Sequence, residues 1–140
     1  MIFPRSYKVS LHITHPTLPA EELTPFFNFA TKYVKSIGVR RILKSGNDLG
    51  GTYPQTDISF MISDGVVNDD DITVSEFVEN SLLLLPLTMI QEIVTAGGVC
   101  FFLIGVFSDG NITCDFNVSL LSQLQQHGIG LKLDFWGGKQ

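Results

Sequence analysis

The sequence predicts an α+β domain in which helices cover one face of a mostly antiparallel sheet. Three observations lead there. Apolar residues alternate at period two in several separated stretches, 3.6-residue periodicity fills the intervals, and 44% of the 140 residues are hydrophobic against 16% charged. Period two marks a strand with one buried face, and period 3.6 marks a helix with one buried stripe. A chain of this length forms one domain, residues 1–140, and buries roughly 68–70% of its unfolded surface. Eleven Phe and the low charge exclude a disordered chain.

Tyr7, Val9, Leu11 and Ile13 alternate with Lys8, Ser10, His12 and Thr14, a strand that Pro16 and Pro19 end. Phe26, Phe29, Ala30, Tyr33, Val34 and Ile37 then recur at helical spacing up to a capping Gly38. Val39–Leu43 reads as a short basic strand and Ser45–Gln55 as a Gly-rich loop. Ile58, Phe60 and Ile62 form the next one-faced strand, and Asp64–Asp71 is an acidic turn. Thr73-Val-Ser-Glu76 is a capping box opening a stripe of Val74, Phe77, Val78, Leu82 and Leu85. Pro86 has no backbone donor, so the helix breaks there and restarts with Met89, Ile90, Ile93 and Val94.

Val99–Phe107 is apolar at both parities, the pattern of a central strand. Asp109-Gly110 predicts a two-residue hairpin turn into a strand Ile112–Val118. A helix Ser119–Gln126, closed by Gly128, and a last strand through Leu131, Leu133 and Phe135 complete the chain. The order reads as a ferredoxin-like β-α-β-β-α-β core extended by β-α-β.

The longest apolar run, Leu82–Ile90, falls short of the ~20 residues of a membrane helix, and the start MIFPRSYKV has no secretory signal. These features predict a cytoplasmic protein with no membrane partner. Cys100 and Cys114 are too few for a disulfide framework, and the hairpin register puts them on opposite faces, unbridged.

The net charge of −5 and pI near 4.9 argue against nucleic acid. Five of nine basic residues fall within Lys32–Lys44, whereas 45–131 contains no Lys or Arg and eleven Asp or Glu. Such asymmetry makes a strongly acidic surface, which serves solubility and also suits docking of a basic protein.

Chemical motifs are sparse. His12-x-x-His15 on a strand points to opposite faces and does not chelate. The stretch DGVVNDDDIT lacks calcium-loop spacing, and Gly46–Gly51 lacks either phosphate fingerprint. Backbone amides of that glycine loop, with Arg40, Arg41 and Lys44, are candidates for holding a small anion. No G-x-S-x-G and no recognisable Cys/His spacing is present. The expectation is a non-enzyme with no metal and no cofactor.

The chain resembles the bacterial domain-of-unknown-function family 4279. The resemblance rests on Val9–Ile13 followed by Pro-Ala-Glu-Glu-Leu-Thr24 and on Lys44-x-Gly46 with Gly51-x-Tyr53-x-x-Thr56. It extends through the Pro-interrupted helix pair and Gly130-Leu-Lys-Leu-Asp-Phe-Trp136. It implies a fold and a bacterial cytoplasmic setting, not an activity. By size and charge the chain is also similar to immunity proteins, which bind and neutralise toxins.

The expected function is therefore protein binding, concretely toxin neutralisation through a basic partner. Two alternatives stand beside it. One is a small anionic ligand binder or enzyme using the 32–44 segment and the 45–55 loop. The other is a self-associating domain, a homodimer. The expected surface is the sheet face away from the helices, framed by Ser10, His12, Ser59, Met61, Asp115, Asn117 and Asp134. Within it the hairpin register sets a stripe of Cys100, Phe102, Ile104 and Val106, with Trp136 at the edge, to be covered either by a partner or second copy or by the N-terminal segment or the 45–55 loop of the chain itself.

Overall fold

The opening strand, β1 (Ser6–His15), lies at the centre of the sheet in the computed structural model, which describes residues 5–111 and 113–137. On one side it pairs antiparallel with β5 (Thr56–Met61), which pairs with β2 (Thr31–Lys35) at the edge. On the other side it pairs antiparallel with β7 (Val99–Ser108), and β8 (Ile129–Gly137) runs parallel to β7 at the second edge. β3 (Arg40–Ile42) and β4 (Asp48–Thr52) form a separate, exposed hairpin, and β6 (Val67–Asn68) adds two residues beside β1.

The alternation in β1 works as expected. Tyr7, Val9, Leu11 and Ile13 are buried, and the matching face of β5 adds Ile58 and Phe60. α1 (Val74–Leu82), α2 (Leu87–Thr95) and α3 (Val118–His127) pack Val78, Leu82, Ile90, Ile93, Leu120 and Leu124 into the same core. Each such side chain, taken from water, contributes about 1.5–3 kcal/mol. The chain is thus an α+β fold with a mostly antiparallel sheet.

Local signals set the helix ends. The Thr73 hydroxyl oxygen accepts from the Glu76 amide at 3.3 Å. Pro86 is the N-cap of α2, where its missing donor costs nothing, and the axes of α1 and α2 diverge by 89°. No single helix among the described residues is long and apolar enough to cross a membrane. Asn117 caps α3, its side-chain oxygen accepting from the Leu120 amide at 2.7 Å. Gly128, at φ 71°, ends α3 in the left-handed conformation and turns the chain at once into β8.

Two expectations are corrected. No helix spans 26–37; two 3-10 turns (Ala20–Glu22, Thr24–Phe26) precede β2, so the first βα unit of a ferredoxin-like order is replaced by a strand. Leu23 and Phe27 enter the core, Phe27 stacking on Phe60 at 4.6 Å, while Thr31, Tyr33 and Val34 complete the ladder on β5. β-branched and aromatic residues suit that strand, and β5 supplies the hydrogen bonds a lone helix would have made internally.

The second correction concerns the hairpin after β7. Ile112 lies outside the described residues, and 113–117 form no strand, so Cys114 and Phe116 reach the core edge from a loop. The neighbour of β7 is β8, reached through α3 as a parallel crossover. The parity taken from the hairpin is therefore reversed. Cys100, Phe102, Ile104 and Val106 point into the core, with Phe102 and Ile104 fully buried. Both cysteines are free, as expected, but not for the register reason.

Candidate functional site

The sheet face opposite the helices is built in rungs by the strand register. Tyr33, Ser59, His12 and Phe101 form one rung across β2, β5, β1 and β7. Met61, Ser10, Leu103 and Lys132 form the next, Lys8, Gly105 and Asp134 the third, and Phe107 pairs with Trp136 at the end.

His12 is the hub of the first rung. Its ring stacks on Phe101, centroids 5.0 Å apart and planes within 9°, and meets the Tyr33 ring edge-on at 6.1 Å. Its Nε2 lies 3.1 Å from the Ser10 hydroxyl and 3.4 Å from that of Ser59. Its Nδ1 lies 3.3 Å from the Tyr33 hydroxyl, which donates to Asp57 at 3.5 Å. With Tyr33 donating to Asp57, Nδ1–H donates to Tyr33 and Nε2 is left as an acceptor for the Ser10 or Ser59 hydroxyl. Burial lowers the pKa of His12; Asp57 opposes the shift, and Lys32 and Lys132 add to it. Burial and Asp57 push the Tyr33 phenol up. At neutral pH the row is a neutral hydrogen-bonded chain ending on a carboxylate.

Beside it lies an open groove of about 420 Å³. Lys8, Lys32 and Met61 line one side, Phe107, Trp136 and Asp134 the other, and Ser10, Leu103 and Gly105 the floor. Phe107 and Trp136 stack with centroids 6.4 Å apart. Gly105 makes the depression: a Cβ there would stand 3.8 Å from both Phe107 Cζ and Trp136 Nε1, pointing into the groove. Two ammonium groups sit over rings, Lys132 at 4.1 Å from the Phe101 centroid and Lys35 at 5.1 Å from that of Tyr33.

This face presents stacked rings, hydroxyls and ammonium groups. Ser10 and His12 resemble a nucleophile and its base, but β1 is paired on both sides, so its amides are committed to ladders and hold no oxyanion.

The residues singled out in the sequence scatter. Asp134 and Trp136 line the groove, and Ser10, His12, Ser59 and Met61 share its face. Phe102 and Ile104 are core residues. Asp115 lies in the loop before α3, and Asn117, the α3 cap, bonds Glu79 of α1 on the helix side. Arg40 is tied to Asp48 within the projecting hairpin, whose Asp48 carboxyl is held below its usual pKa by the Gly50 amide and by Arg40. Arg41 and Lys44 are exposed on that same arm and are not brought to the groove. Reasoning from sequence missed Lys8, Phe101 and Phe107; it included Lys32 and Tyr33 in the 32–44 segment but on a helix, whereas β2 brings them to the sheet. The parity of Lys8 with Ser10 and His12 was the available signal.

His15 faces the other way and is structural, its Nδ1 accepting from the amides of Thr17 (3.1 Å) and Leu18 (3.0 Å). The acidic turn holds no metal site: Asp69 pairs with Arg5 at 2.9 Å, and no metal-ligating group of three or more His, Cys, Asp or Glu exists among the described residues. No protein-family model, curated protein or solved structure matches the chain.

Proposed function

We propose that the protein is a binding domain whose open sheet face takes a flat anionic ligand, an aromatic or heteroaromatic ring bearing phosphate or carboxylate. The observation that carries this reading is the groove itself, which sets the stacked Phe107 and Trp136 across from Lys8 and Lys32. The wider face agrees. It presents Lys8, Lys32, Lys35 and Lys132 against Asp57 and Asp134, although the whole chain carries −5. A volume of about 420 Å³ suits one small molecule. This keeps the anion-binding alternative but moves it from the 45–55 loop to the sheet.

A basic protein partner, as in the toxin-neutralising expectation, fits elsewhere. The other twelve of fourteen carboxylates sit in loops, the hairpin and the helices, and a basic protein would meet them there rather than on the lysine-bearing sheet face.

Thermal-shift measurements against mononucleotides, flavin mononucleotide and aromatic carboxylates test the ligand reading. A ligand at 100 times Kd stabilises by about 2.7 kcal/mol. The shift should vanish in Gly105→Leu, which fills the groove floor. No shift with any of these anions, or an undiminished shift in a folded Gly105→Leu, would defeat the proposal.

A further inference from the structure

The two edges of the sheet are treated differently by the sequence. β2 is five residues long, carries Lys32 and Lys35, and is bulged between Thr31 and Tyr33. Lysines, shortness and bulges are the devices that keep an edge from pairing with another chain. β8 has none of the geometric ones. It is nine residues long, pairs with β7 without a register shift, and contains no Pro. On the helix side Leu133 (38%) and Phe135 (52%) remain exposed, whereas Ile129 at the start of the strand is buried. No strand lies outside β8 among the described residues.

We propose that β8 pairs antiparallel with β8 of a second copy of this chain, about a two-fold axis at Leu133, joining two sheets into one. Directly opposed residues in an antiparallel pair share a face, so a two-fold axis normal to the sheet must pass through a residue that opposes itself. Centring on Lys132 sets Lys132 against Lys132, and centring on Asp134 sets Asp134 against Asp134; like charges directly opposed destabilise. Centring on Leu133 sets Lys132 against Asp134 twice, once on each side of the axis. Neither residue has an ion-pair partner within the described chain. The same register places Leu131 against Phe135 and Leu133 against Leu133 on the helix side, where the exposed apolar surface lies. On the open face it sets Trp136 over Gly130, an aromatic covering a bare backbone. Among the three registers centred on Lys132, Leu133 and Asp134, charge, apolar surface and side-chain size thus select the one at Leu133, which also overlaps the strand along its whole length.

Sedimentation equilibrium over a range of concentrations is the test. The native chain should approach twice 15.5 kDa as concentration rises. Lys132→Glu opposes two carboxylates twice and should raise the dimer dissociation constant about tenfold or more. Asp134→Lys should do the same with two ammonium groups. The double charge swap Lys132→Glu/Asp134→Lys restores opposite pairs and should return the constant to near the native value. Both side chains are exposed, so the variants should fold. The single tryptophan, Trp136, reports independently, with emission moving to shorter wavelength as the dimer forms. A chain that stays at 15.5 kDa at every concentration overturns the proposal. So does a dimer indifferent to Lys132→Glu, or one that the double swap fails to restore.

Discussion

β1 and β7 each face two worlds, and neighbouring residues on the same strand do different work. Phe102 and Phe101 differ by one position. The first is fully buried under the helices; the second is half-buried, stacked on His12 beneath the Lys132 ammonium. His15 and His12 repeat the contrast on β1, one bonding turn amides in the core and the other joining a polar row on the open side. The lesson is that one face of this sheet maintains the fold while the other is free to specialise.

Substitutions should break the two faces apart. Phe102→Ala leaves a core cavity and should cost about 3–5 kcal/mol in a denaturant titration. Phe101→Ala should cost about 1 kcal/mol or less, because little of its packing is lost to a closed cavity. Equal losses would show that the open face also carries the fold.

The glycines sharpen the same contrast at smaller magnitude. A Cβ on Gly98, at the head of β7, would stand 2.5 Å from the Thr14 carbonyl oxygen and 2.6 Å from Ile93 Cγ2. Gly98→Ala should therefore cost about 1–3 kcal/mol through overpacking. Gly105→Ala meets only ordinary contacts at 3.8 Å and should stay within about 0.5 kcal/mol of the native stability while narrowing the groove.

Acid tests both histidines. Burial lowers each below its usual 6.5, so the unfolded chain binds more protons than the folded one between the two values. Stability from the neutral rings is complete above about 6.5 and falls as pH drops below it. His15→Asn, which keeps an acceptor for the two turn amides but cannot be protonated, should flatten the acid side of a stability–pH profile. His12→Asn should flatten it too, and should also remove any pH dependence of anion binding. The smallest effect belongs to the arm outside both faces. Arg40→Ala breaks an exposed ion pair with Asp48 and should leave the unfolding midpoint unchanged within error in the same titration.

Local chemistry was legible in the sequence and tertiary choice was not. The alternation of β1, the capping Thr73 and the break at Pro86 depend on near neighbours, and each appears where the residues placed it. Residues 26–37 have helical spacing, yet Thr31–Lys35 form a strand because β5 offers an unpaired edge, information that lies more than twenty residues away. Asp109-Gly110 is a good hairpin signal, but the strand that docks on β7 comes after α3. That choice reversed the parity of Phe102 and Ile104. β7 could not correct it alone, because both its faces are apolar: one builds the core and the other carries Phe101, Leu103 and Phe107. β1 could have, since its register on β7 sets Lys8 and His12 beside Gly105 and Phe101.

The central place of β1 has a consequence during synthesis. Ser10 lies beside Leu103, 93 positions later in the chain. At about 5–20 residues per second, the ribosome takes roughly 5–20 s to make that interval. For that time Tyr7, Val9, Leu11 and Ile13 lack the β7 side of their shelter, since β5, α1 and α2 are all made before β7. Pairings so distant in sequence also slow closure of the finished chain. Lys8, Ser10 and His12, alternating with those apolar residues, keep the nascent segment from being a continuous sticky strand. The polar side of β1 thus protects the chain before the sheet has closed around it.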